Sequence, residues 1–358
     1  MTFKYGELFC GPGGLALGAT QATVKNNGVR YQIVHAWAND YDEDSCKTYS
    51  KNICQDAPRT VICKDVRELD IKELNEIDAF AYGFPCNDFS IIGEQKGFDG
   101  NFGPLYTYGI GVLNEFKPKF FIAENVGGLI SANEGRAFKK ILADLLDSGN
   151  GYKITPHLYR AEDYGVPQTR HRIIVVGIDQ SLGLTFQVPA PTHVGKHSSV
   201  RKALEKPPIS QDAVNHEKIT ASKKVMERLS YIKPGENAWT ANLPKHLRLN
   251  VKKAQMSQIY KKLHPENPSY TITGSGGGGT HGYHYKEPRA LTNRERARIQ
   301  TFPDNYIFEG NHSSVRKQIG MAVPPMLSKI IFTAVLNTFA GKRYSYIHSN
   351  LSYKQPLL

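Results

Sequence analysis

One cysteine lies beside a proline in a setting that favours nucleophilic chemistry. Cys86 follows Pro85 directly after a short apolar run that predicts a strand, and Glu124 ends the next apolar run. A thiol at a strand end is well placed to attack a substrate, and a carboxyl group nearby can supply a proton. A lone cysteine is more often a small buried hydrophobe. The carboxyl group on a neighbouring strand end is what favours a catalytic thiol here.

A glycine-rich turn and two aspartates predict a nucleotide site. The pattern F-x-G-x-G-G at residues 9–14 stands between a predicted strand and a predicted helix, while Asp40 and Asp65 follow the next two strands. Such glycines allow close approach of a ligand and leave helix N–H groups free. Each aspartate alone is more often a cap or a surface acid. Three ligand-like positions at successive strand ends of one sheet are harder to dismiss, although the G-x-G-x-x-G spacing is absent.

Two arginines alternate before a third apolar run. Arg170 and Arg172 lie in Gln168-Thr169-Arg170-His171-Arg172, which leads into RIIVVG. Alternate side chains of an extended segment point the same way, so the pair can face a phosphate or a base carbonyl. The alternative is a charged entrance to a strand.

The elements that position these residues alternate between strands and helices through the first half of the chain. This rhythm predicts an α/β fold with a doubly wound, parallel sheet. Predicted strands cover residues 4–9, 32–38, 60–64, 79–82, 120–123 and 172–177, and predicted helices cover residues 15–24, 43–51 and 136–146. The pattern weakens after residue 179, and helical spacing returns from Leu291 and again over residues 326–339.

Composition and charge separate the two halves of the 358-residue chain. Residues 1–180 have a net charge of −4, whereas residues 181–358 have a net charge of +16, which suits a polyanion such as nucleic acid. The five cysteines show no paired C-x-x-C spacing, so neither a disulfide framework nor a metal site is predicted. Without an apolar run near the ~20 residues of a membrane span, and without a signal region, we expect a cytoplasmic protein.

An ordered set of motifs gives the chain a specific resemblance. F-x-G-x-G-G, Pro-Cys, Glu-Asn-Val, Gln-x-Arg-x-Arg, Arg-x-Leu-Thr-x-Arg-Glu and Gln-x-Gly follow one another from residue 9 to residue 320. In this order the motifs resemble the cytosine carbon-5 DNA methyltransferase family, of the bacterial restriction-modification type. The resemblance implies a Rossmann-like S-adenosylmethionine-dependent fold. It implies a catalytic domain at 1–180, a smaller, irregular target-recognition domain at 181–300, and a C-terminal segment at 301–358 returning to the catalytic domain.

The resemblance also implies how catalysis proceeds. Cys86 would add to carbon 6 of a cytosine that has been flipped out of the duplex. Glu124 would relieve the charge at ring nitrogen 3, Arg172 would hold the base carbonyl, and Arg170 would lie nearer the backbone phosphate. The remaining implied DNA contacts are Ser90, Gln168, Thr271 and Ile272.

The implied cofactor is S-adenosylmethionine, which leaves as S-adenosylhomocysteine. Glycines between residues 86 and 105 match the family's mobile catalytic loop. The cofactor residues implied by the resemblance are Phe9, Gly11, Gly13, Gly14, Asp40, Tyr41, Asp65, Val66, Pro85, Leu105, Met321 and Val323.

Two departures and two alternatives stay open. Asn87 stands where the family usually has Gln, and Met321 where it usually has Asn; we expect the ordinary donor, with the altered pair compensating in packing. A related RNA methyltransferase, or a nucleotide-sensing or DNA-binding module without catalysis, are the alternatives. The expected partners are duplex DNA and a cognate restriction endonuclease, with no metal and no membrane. The protein is expected to be a monomer.

Overall fold

The computed structural model describes residues 1–85, 105–219, 221–250, 257–275 and 279–351. The chain divides into two compact units. The first comprises Met1–Arg160, His171–Pro191 and Pro325–Leu358, and the second comprises Ala161–Arg170 and Thr192–Pro324. These bounds differ from the predicted ones, since residues 161–170 and 301–324 group with the second unit and residues 181–191 group with the first. A cause for the first difference is that the backbones of residues 167–169 and Ser269 are hydrogen bonded to each other.

An eight-stranded sheet forms the centre of the first unit, in the order β2-β3-β1-β5-β6-β8-β7 with β4 on β3. A separate two-stranded sheet pairs β9 with β10. The strands are β1 Thr2–Leu8, β2 Thr23–Asn26, β3 Val29–Asp40, β4 Val61–Cys63, β5 Ala79–Gly83, β6 Phe120–Val126, β7 Tyr152–Arg160, β8 His171–Asp179, β9 Val188–Pro189 and β10 Tyr346–Ile347.

The Rossmann-like, doubly wound prediction is confirmed, but the sheet is mixed rather than wholly parallel. Strands β3, β1, β5 and β6 pair in parallel, and β4 joins β3 in the same sense. Strand β8, which contains RIIVVG, runs antiparallel to both β6 and β7, and β2 runs antiparallel to β3. The sequence analysis missed β7, and with it the antiparallel edge, because alternation with helices was taken to extend to the last strand.

Helices cover the sheet and provide most of the regular structure of the second unit. In the first unit, Ser328 Oγ of helix α9 donates a 2.7 Å hydrogen bond to the Leu15 carbonyl of helix α1. A Cβ at Gly18 would lie 2.4 Å from the same hydroxyl, so the two helices pack closely. The helices are α1 Gly14–Gln21, α2 Glu43–Ile53, α3 Tyr106–Phe116, α4 Arg136–Asp147, α5 Val200–Glu205, α6 Lys223–Tyr231, α7 Asn293–Ile299, α8 His312–Met321 and α9 Pro325–Phe339.

The core around strands β5 and β6 of the first unit is aromatic. Phe80 and Tyr82 of β5 stack with ring centroids 5.2 Å apart, and Tyr82 continues to Phe84 at 5.4 Å. Phe121 of β6 packs edge-on against Tyr152. These buried rings hold the ends of β5 and β6, the two strands that precede the predicted catalytic residues, in a fixed register.

The second unit has its own smaller core and little regular structure, as the weakening pattern predicts. Leu229, Ile232 and Leu247 are buried there together with Tyr260 and Tyr283. Its longest helix among the described residues is the ten-residue α8.

One described stretch, His312–Phe339, has the length and hydropathy that a membrane-crossing helix would need. Its apolar window is 72% buried within the protein. The stretch consists of two helices, α8 and α9, separated by residues 322–324. Burial in the protein accounts for its apolar composition.

Candidate active site

The loop after β1 has the backbone geometry of a ligand cradle. Phe9, Gly11 and Gly13 all adopt positive φ angles, of 53°, 51° and 86°. Glycine adopts such angles without strain, which explains why two of the three positions are glycine. No atom of the described residues lies within 4 Å of where a Cβ would stand at Gly11, so those residues leave this face of the loop uncovered. Helix α1 begins directly afterwards at Gly14, which directs the N–H groups of its first turn towards the loop.

Asp40 fixes this loop to the end of β3. Its Oδ2 accepts a 2.8 Å hydrogen bond from the Gly11 N–H, and its Oδ1 accepts one of 2.9 Å from the Asp42 N–H. Burial raises the pKa of Asp40, although these backbone donors favour the charged form. Each carboxylate oxygen retains a second lone pair for a hydroxyl group. The carboxylate therefore both shapes the glycine loop and stays able to accept from a ribose.

Asp65 lies at the end of β4 with a partner that the sequence analysis did not foresee. Its carboxylate accepts from the backbone and side chain of Arg67, with the Nη2–Oδ2 distance 2.5 Å. The hydrogen bonds from Arg67 lower the pKa of Asp65 to about 2. An adenine amino group predicted to bind Asp65 would share the carboxylate with this arginine. The neighbouring Val66 is buried, whereas Tyr41 is 66% exposed.

A buried acid beneath the loop was also missed. Glu7 is 1% exposed and accepts a 3.4 Å hydrogen bond from the Tyr49 hydroxyl. Tyr49 contacts His35 Nδ1 at 3.2 Å, and His35 Nε2 contacts the Thr60 hydroxyl at 2.7 Å. Burial raises the pKa of Glu7 to about 8 and lowers that of His35 to about 4. The only sequence signal was an acid inside an apolar strand.

Glu124 and Arg172 meet at the ends of adjacent strands. Strand register pairs Glu124 with Gly83 of β5, and pairs Val126 with Arg172 of β8. Arg172 Nε lies 2.9 Å from Glu124 Oε1, and the two side chains are only 13% and 12% exposed. Arg172 also donates to the His171 carbonyl at 2.8 Å. The predicted acid and the predicted arginine therefore form a shielded ion pair.

The strand end that leads to Cys86 is tied to this pair. A Cβ at Gly83 would stand 3.0 Å from Glu124 Oε2, and Asn125 Nδ2 donates a 3.1 Å hydrogen bond to the Phe84 carbonyl. Glu-Asn-Val thus supplies a carboxyl group and an amide that fixes the neighbouring strand. Pro85 and the partly buried Leu105 flank the part of the chain that is not described. The predicted residues Cys86, Asn87 and Ser90 lie outside the described residues.

Arg170 occupies a different environment, within the second unit. It is 1% exposed and donates hydrogen bonds to three backbone carbonyls, those of Ile272 at 3.1 Å, Gly320 at 3.0 Å and Met321 at 3.4 Å. Arg170 and Arg172 alternate along the extended segment as predicted, but their side chains bind different partners. A guanidinium committed to carbonyl oxygens favours a structural function for Arg170 over the predicted catalytic one.

The predicted DNA contacts Gln168 and Ile272 are buried as well. Gln168 is fully buried, accepts from the Ile272 N–H at 2.7 Å and donates to Gln300 Oε1 at 2.9 Å. Gln300 in turn donates to the Ile319 carbonyl at 2.6 Å. Two amide side chains thereby join four segments of the second unit. Thr271 is the less buried member, and its hydroxyl donates to the Thr169 carbonyl at 2.7 Å.

Gly320 explains the Gln-x-Gly motif. A Cβ at this position would lie 1.9 Å from the backbone nitrogen of Gly274, so only glycine permits the contact. The segment after Ile272 therefore lies directly against the end of α8. Beyond it, Met321 is 62% exposed and Val323 is 5% exposed. These two predicted cofactor residues belong to the second unit.

Metal ligands are absent from the described ranges, where no group of three or more His, Cys, Asp or Glu side chains is arranged to hold an ion.

Comparison with known proteins now identifies the family. The profile of C-5 cytosine-specific DNA methylases matches residues 3–337. The chain belongs to this family of DNA methyltransferases. It is 60% identical over 361 residues to the type II methyltransferase M.BbvI of Brevibacillus brevis, with 99% of this chain and 96% of that protein covered. It is 38% identical to the type II methyltransferase M.NgoFVII of Neisseria gonorrhoeae, covering 89% of this chain and 82% of that protein.

Solved structures agree on the fold. A protein described as a DNA modification methyltransferase encoded within an Escherichia coli prophage superposes with a TM-score of 0.71 at 23% identity, covering 94% of this chain and 99% of that one. The S. pombe Dnmt2 methyltransferase gives a TM-score of 0.59 at 16% identity, with coverages of 94% and 98%. This DNA methylase is accordingly a cytosine-5 methyltransferase of the restriction-modification type with a Rossmann-like catalytic fold.

Proposed function

We propose that this methyltransferase transfers a methyl group from S-adenosylmethionine to carbon 5 of a cytosine at a specific site in duplex DNA. The observation that carries the proposal is the shielded Glu124–Arg172 pair, whose Nε–Oε1 distance is 2.9 Å. The pair presents an acid and a cation together at strand ends. Glu124 lies in register with Gly83, which is three residues before Cys86 in the sequence. A pyrimidine ring needs these two groups on adjacent edge atoms, a nitrogen and a carbonyl oxygen.

The glycine loop suits the proposed cofactor. The open face at Gly11, the positive φ angles and the start of α1 leave room and N–H donors for the charged amino-acid end. Asp40 can accept from a ribose hydroxyl, and the exposed ring of Tyr41 can stack on an adenine. The proposed cofactor residues of the first unit are completed by Phe9, Gly13, Gly14, Asp65, Val66, Pro85 and Leu105. When bound, S-adenosylmethionine supplies a methyl group on a positively charged sulfur.

The residues of the chain activate the base. Carbon 5 of cytosine is a weak nucleophile. Addition of the Cys86 thiolate to carbon 6 raises the electron density at carbon 5. Glu124 holds a proton at ring nitrogen 3 and so neutralises the negative charge that addition creates. Arg172 binds the base carbonyl and keeps Glu124 in position. After transfer a base removes the carbon-5 proton, the ring double bond reforms and Cys86 leaves with its bonding electrons.

The proposed substrate is duplex DNA, so the target base must leave the stack. The second unit is proposed to read the sequence, because the basic half of the chain supplies most of it. Ser90 and Thr271 are the proposed backbone and base contacts. Gln168, Ile272 and Arg170 are proposed to hold the segment that carries Thr271, rather than to contact DNA themselves.

The type II names of the relatives favour a protective role against a cognate restriction endonuclease. The enzyme is proposed to act as a monomer on nucleoid DNA in a bacterial cytoplasm. The test is a transfer assay with labelled S-adenosylmethionine on duplex DNA and on structured RNA of matched length. Methylation of DNA, followed by sequencing that locates 5-methylcytosine at one site, supports the proposal. Transfer to RNA alone would identify the related RNA enzyme, and transfer to neither would favour the non-catalytic module.

A further inference from the structure

Arg296, a buried arginine of the second unit, has no counter-ion among the described residues. It lies on α7, is 3% exposed, and its Nε has no hydrogen-bond partner in the described part of the chain. The nearest acid in sequence, Glu295, is already engaged by Arg289 at 2.7 Å and by the Thr292 N–H at 2.8 Å. Burying a cation without an anion is costly, so such a group indicates a missing negative charge.

Three further basic side chains lie near Arg296, since after burial the charges of Arg316 and Arg296 lower the pKa values of both His281 and His312. His312 and Arg316 are one helical turn apart on α8, which places them on one face of that helix. Helix α7 is joined to α8 by a 3.0 Å hydrogen bond from Asn293 to the His312 carbonyl. Arg316 Nη1 lies 2.8 Å from His281 Nδ1. Burial, followed by the charges of Arg296 and Arg316, lowers the pKa of His312.

The cluster is rich in unused donors. Within the described ranges, the Nε atoms of Arg296 and Arg316 and the Nε2 atom of His312 all lack hydrogen-bond partners. Because an arginine only donates, His281 Nδ1 must accept from Arg316, which puts the ring proton of neutral His281 on Nε2. Burial lowers the pKa of Arg296 to about 10, so it remains charged at neutral pH. Among the described residues, Asn293 Oδ1 on α7 is a buried acceptor without a partner, and Glu217 is the one acid whose charge raises the pKa of His312.

We propose that Arg296, Arg316, His281 and His312 form a binding site for one phosphate group. Two guanidinium groups and two imidazole donors match the charge and the acceptor oxygens of a phosphate. Two sources share this chemistry, a DNA backbone phosphate and free inorganic phosphate. The site does not depend on the proposed function, although its assignment to DNA does.

The test measures the melting temperature of the full-length protein in inorganic phosphate and in chloride at matched ionic strength. Phosphate well above its dissociation constant should raise the melting temperature by about 2–4 °C, because it binds only the folded state. The increase should disappear in Arg296→Met and Arg316→Gln. It should persist in Lys218→Gln, a control that removes a 57%-exposed charge paired with Glu287.

Arg296→Met carries a second readout. In phosphate-free buffer it should melt at the same temperature as the unsubstituted protein or higher, because a buried unpaired charge is removed. A merely structural arginine would lower the melting temperature in both buffers. No phosphate-specific increase in the unsubstituted protein, or an increase retained by both cluster variants, would overturn the proposal.

A second measurement identifies the source of the phosphate. If it is a DNA phosphate, Arg316→Gln should reduce the slope of log affinity against log salt by about 0.9, and added phosphate should compete with DNA. If it is free phosphate, the slope should match that of the unsubstituted protein while the melting response is still lost. Failure of all DNA binding would contradict the proposed function, yet leave the melting-temperature result able to decide the anion site.

Discussion

Arg172 Nε lies 2.9 Å from Glu124 Oε1, with both side chains almost buried at the ends of strands β8 and β6. Arg170, two residues earlier, donates to three backbone carbonyls of the second unit. The Gln-x-Arg-x-Arg motif thus contains one arginine directed at an acid and one directed at the backbone. Substitution of Arg172 should therefore lower the rate of methyl transfer, whereas substitution of Arg170 should lower the stability of the protein.

Loss of either member of the Glu124–Arg172 pair should impair methyl transfer. Glu124→Gln retains the shape but loses the acid, and we expect the single-turnover rate to fall by about 10²–10⁴-fold. The double variant with Arg172→Gln should show a coupling of about 0.5–3 kcal/mol in a mutant cycle. The exposed Glu43–Lys47 pair provides a matched control that should leave the rate unchanged. Additive losses would contradict the proposed joint action.

Arg170→Met should act on stability. Three charge-assisted hydrogen bonds are lost inside the second unit, and we expect the free energy of unfolding to fall by about 2–5 kcal/mol. Denaturant titration measures this loss, and single-turnover transfer by the folded fraction should be within about tenfold of the unsubstituted protein. A loss of transfer comparable to that of Arg172→Gln, without a loss of stability, would restore the catalytic interpretation of Arg170.

Gly320→Ala should be severely destabilising, although alanine normally favours a helix by about 1 kcal/mol over glycine. The added Cβ would lie 1.9 Å from the Gly274 nitrogen, and backbone cannot yield as a flexible side chain does. Gly128→Ala is the control, because its φ angle is not positive and, across the part of the chain that the structure describes, no atom lies within 4 Å of the place its Cβ would take. Equal melting temperatures for the two variants would refute the close contact.

Glu7 should make the free energy of unfolding fall as pH rises towards 8. Burial raises its pKa from 4.5 to about 8, so between these values the folded protein holds a proton that the unfolded chain has released. Stability from this group is therefore lost as pH rises through that window, by at most about 1.4 kcal/mol per pH unit. Glu7→Gln cannot titrate and should give a flatter curve of melting temperature between pH 6.5 and 8. Parallel curves for the two proteins would show that Glu7 is not the group responsible.

The sequence predicted those features that depend on local pattern. Strands β1, β5 and β6 with their following residues were found because apolar runs ended in glycine, proline or acid. The ion pair between Glu124 and Arg172 was not predicted, because it depends on the pairing of β6 with β8. The antiparallel β7–β8 edge was missed because strand direction depends on which strands pair, and local periodicity carries no such information.

Side-chain partners that lie far away in the chain also could not be predicted from the sequence. Arg170 and Arg172 share an extended segment, and only the fold shows that one is held by Ile272 and Gly320, which are over 100 residues away in the chain. Arg67 competes for Asp65 because the 3₁₀ turn after β4 brings its side chain back onto its own cap residue. Such pairings depend on turn geometry and burial, which the spacing of residue types alone leaves open.

The most direct test of the account concerns Cys86 as the covalent nucleophile. Duplex DNA carrying 5-fluorocytosine at the methylated position should trap the enzyme with S-adenosylmethionine, because the fluorine at carbon 5 cannot be removed as a proton. Mass spectrometry of the denatured complex should map the base to the peptide containing Cys86. Cys63→Ser, which changes an exposed thiol, should be trapped equally well, whereas Cys86→Ala should yield no complex that survives denaturation. A stable complex with Cys86→Ala, or an adduct mapped to another residue, would contradict the account.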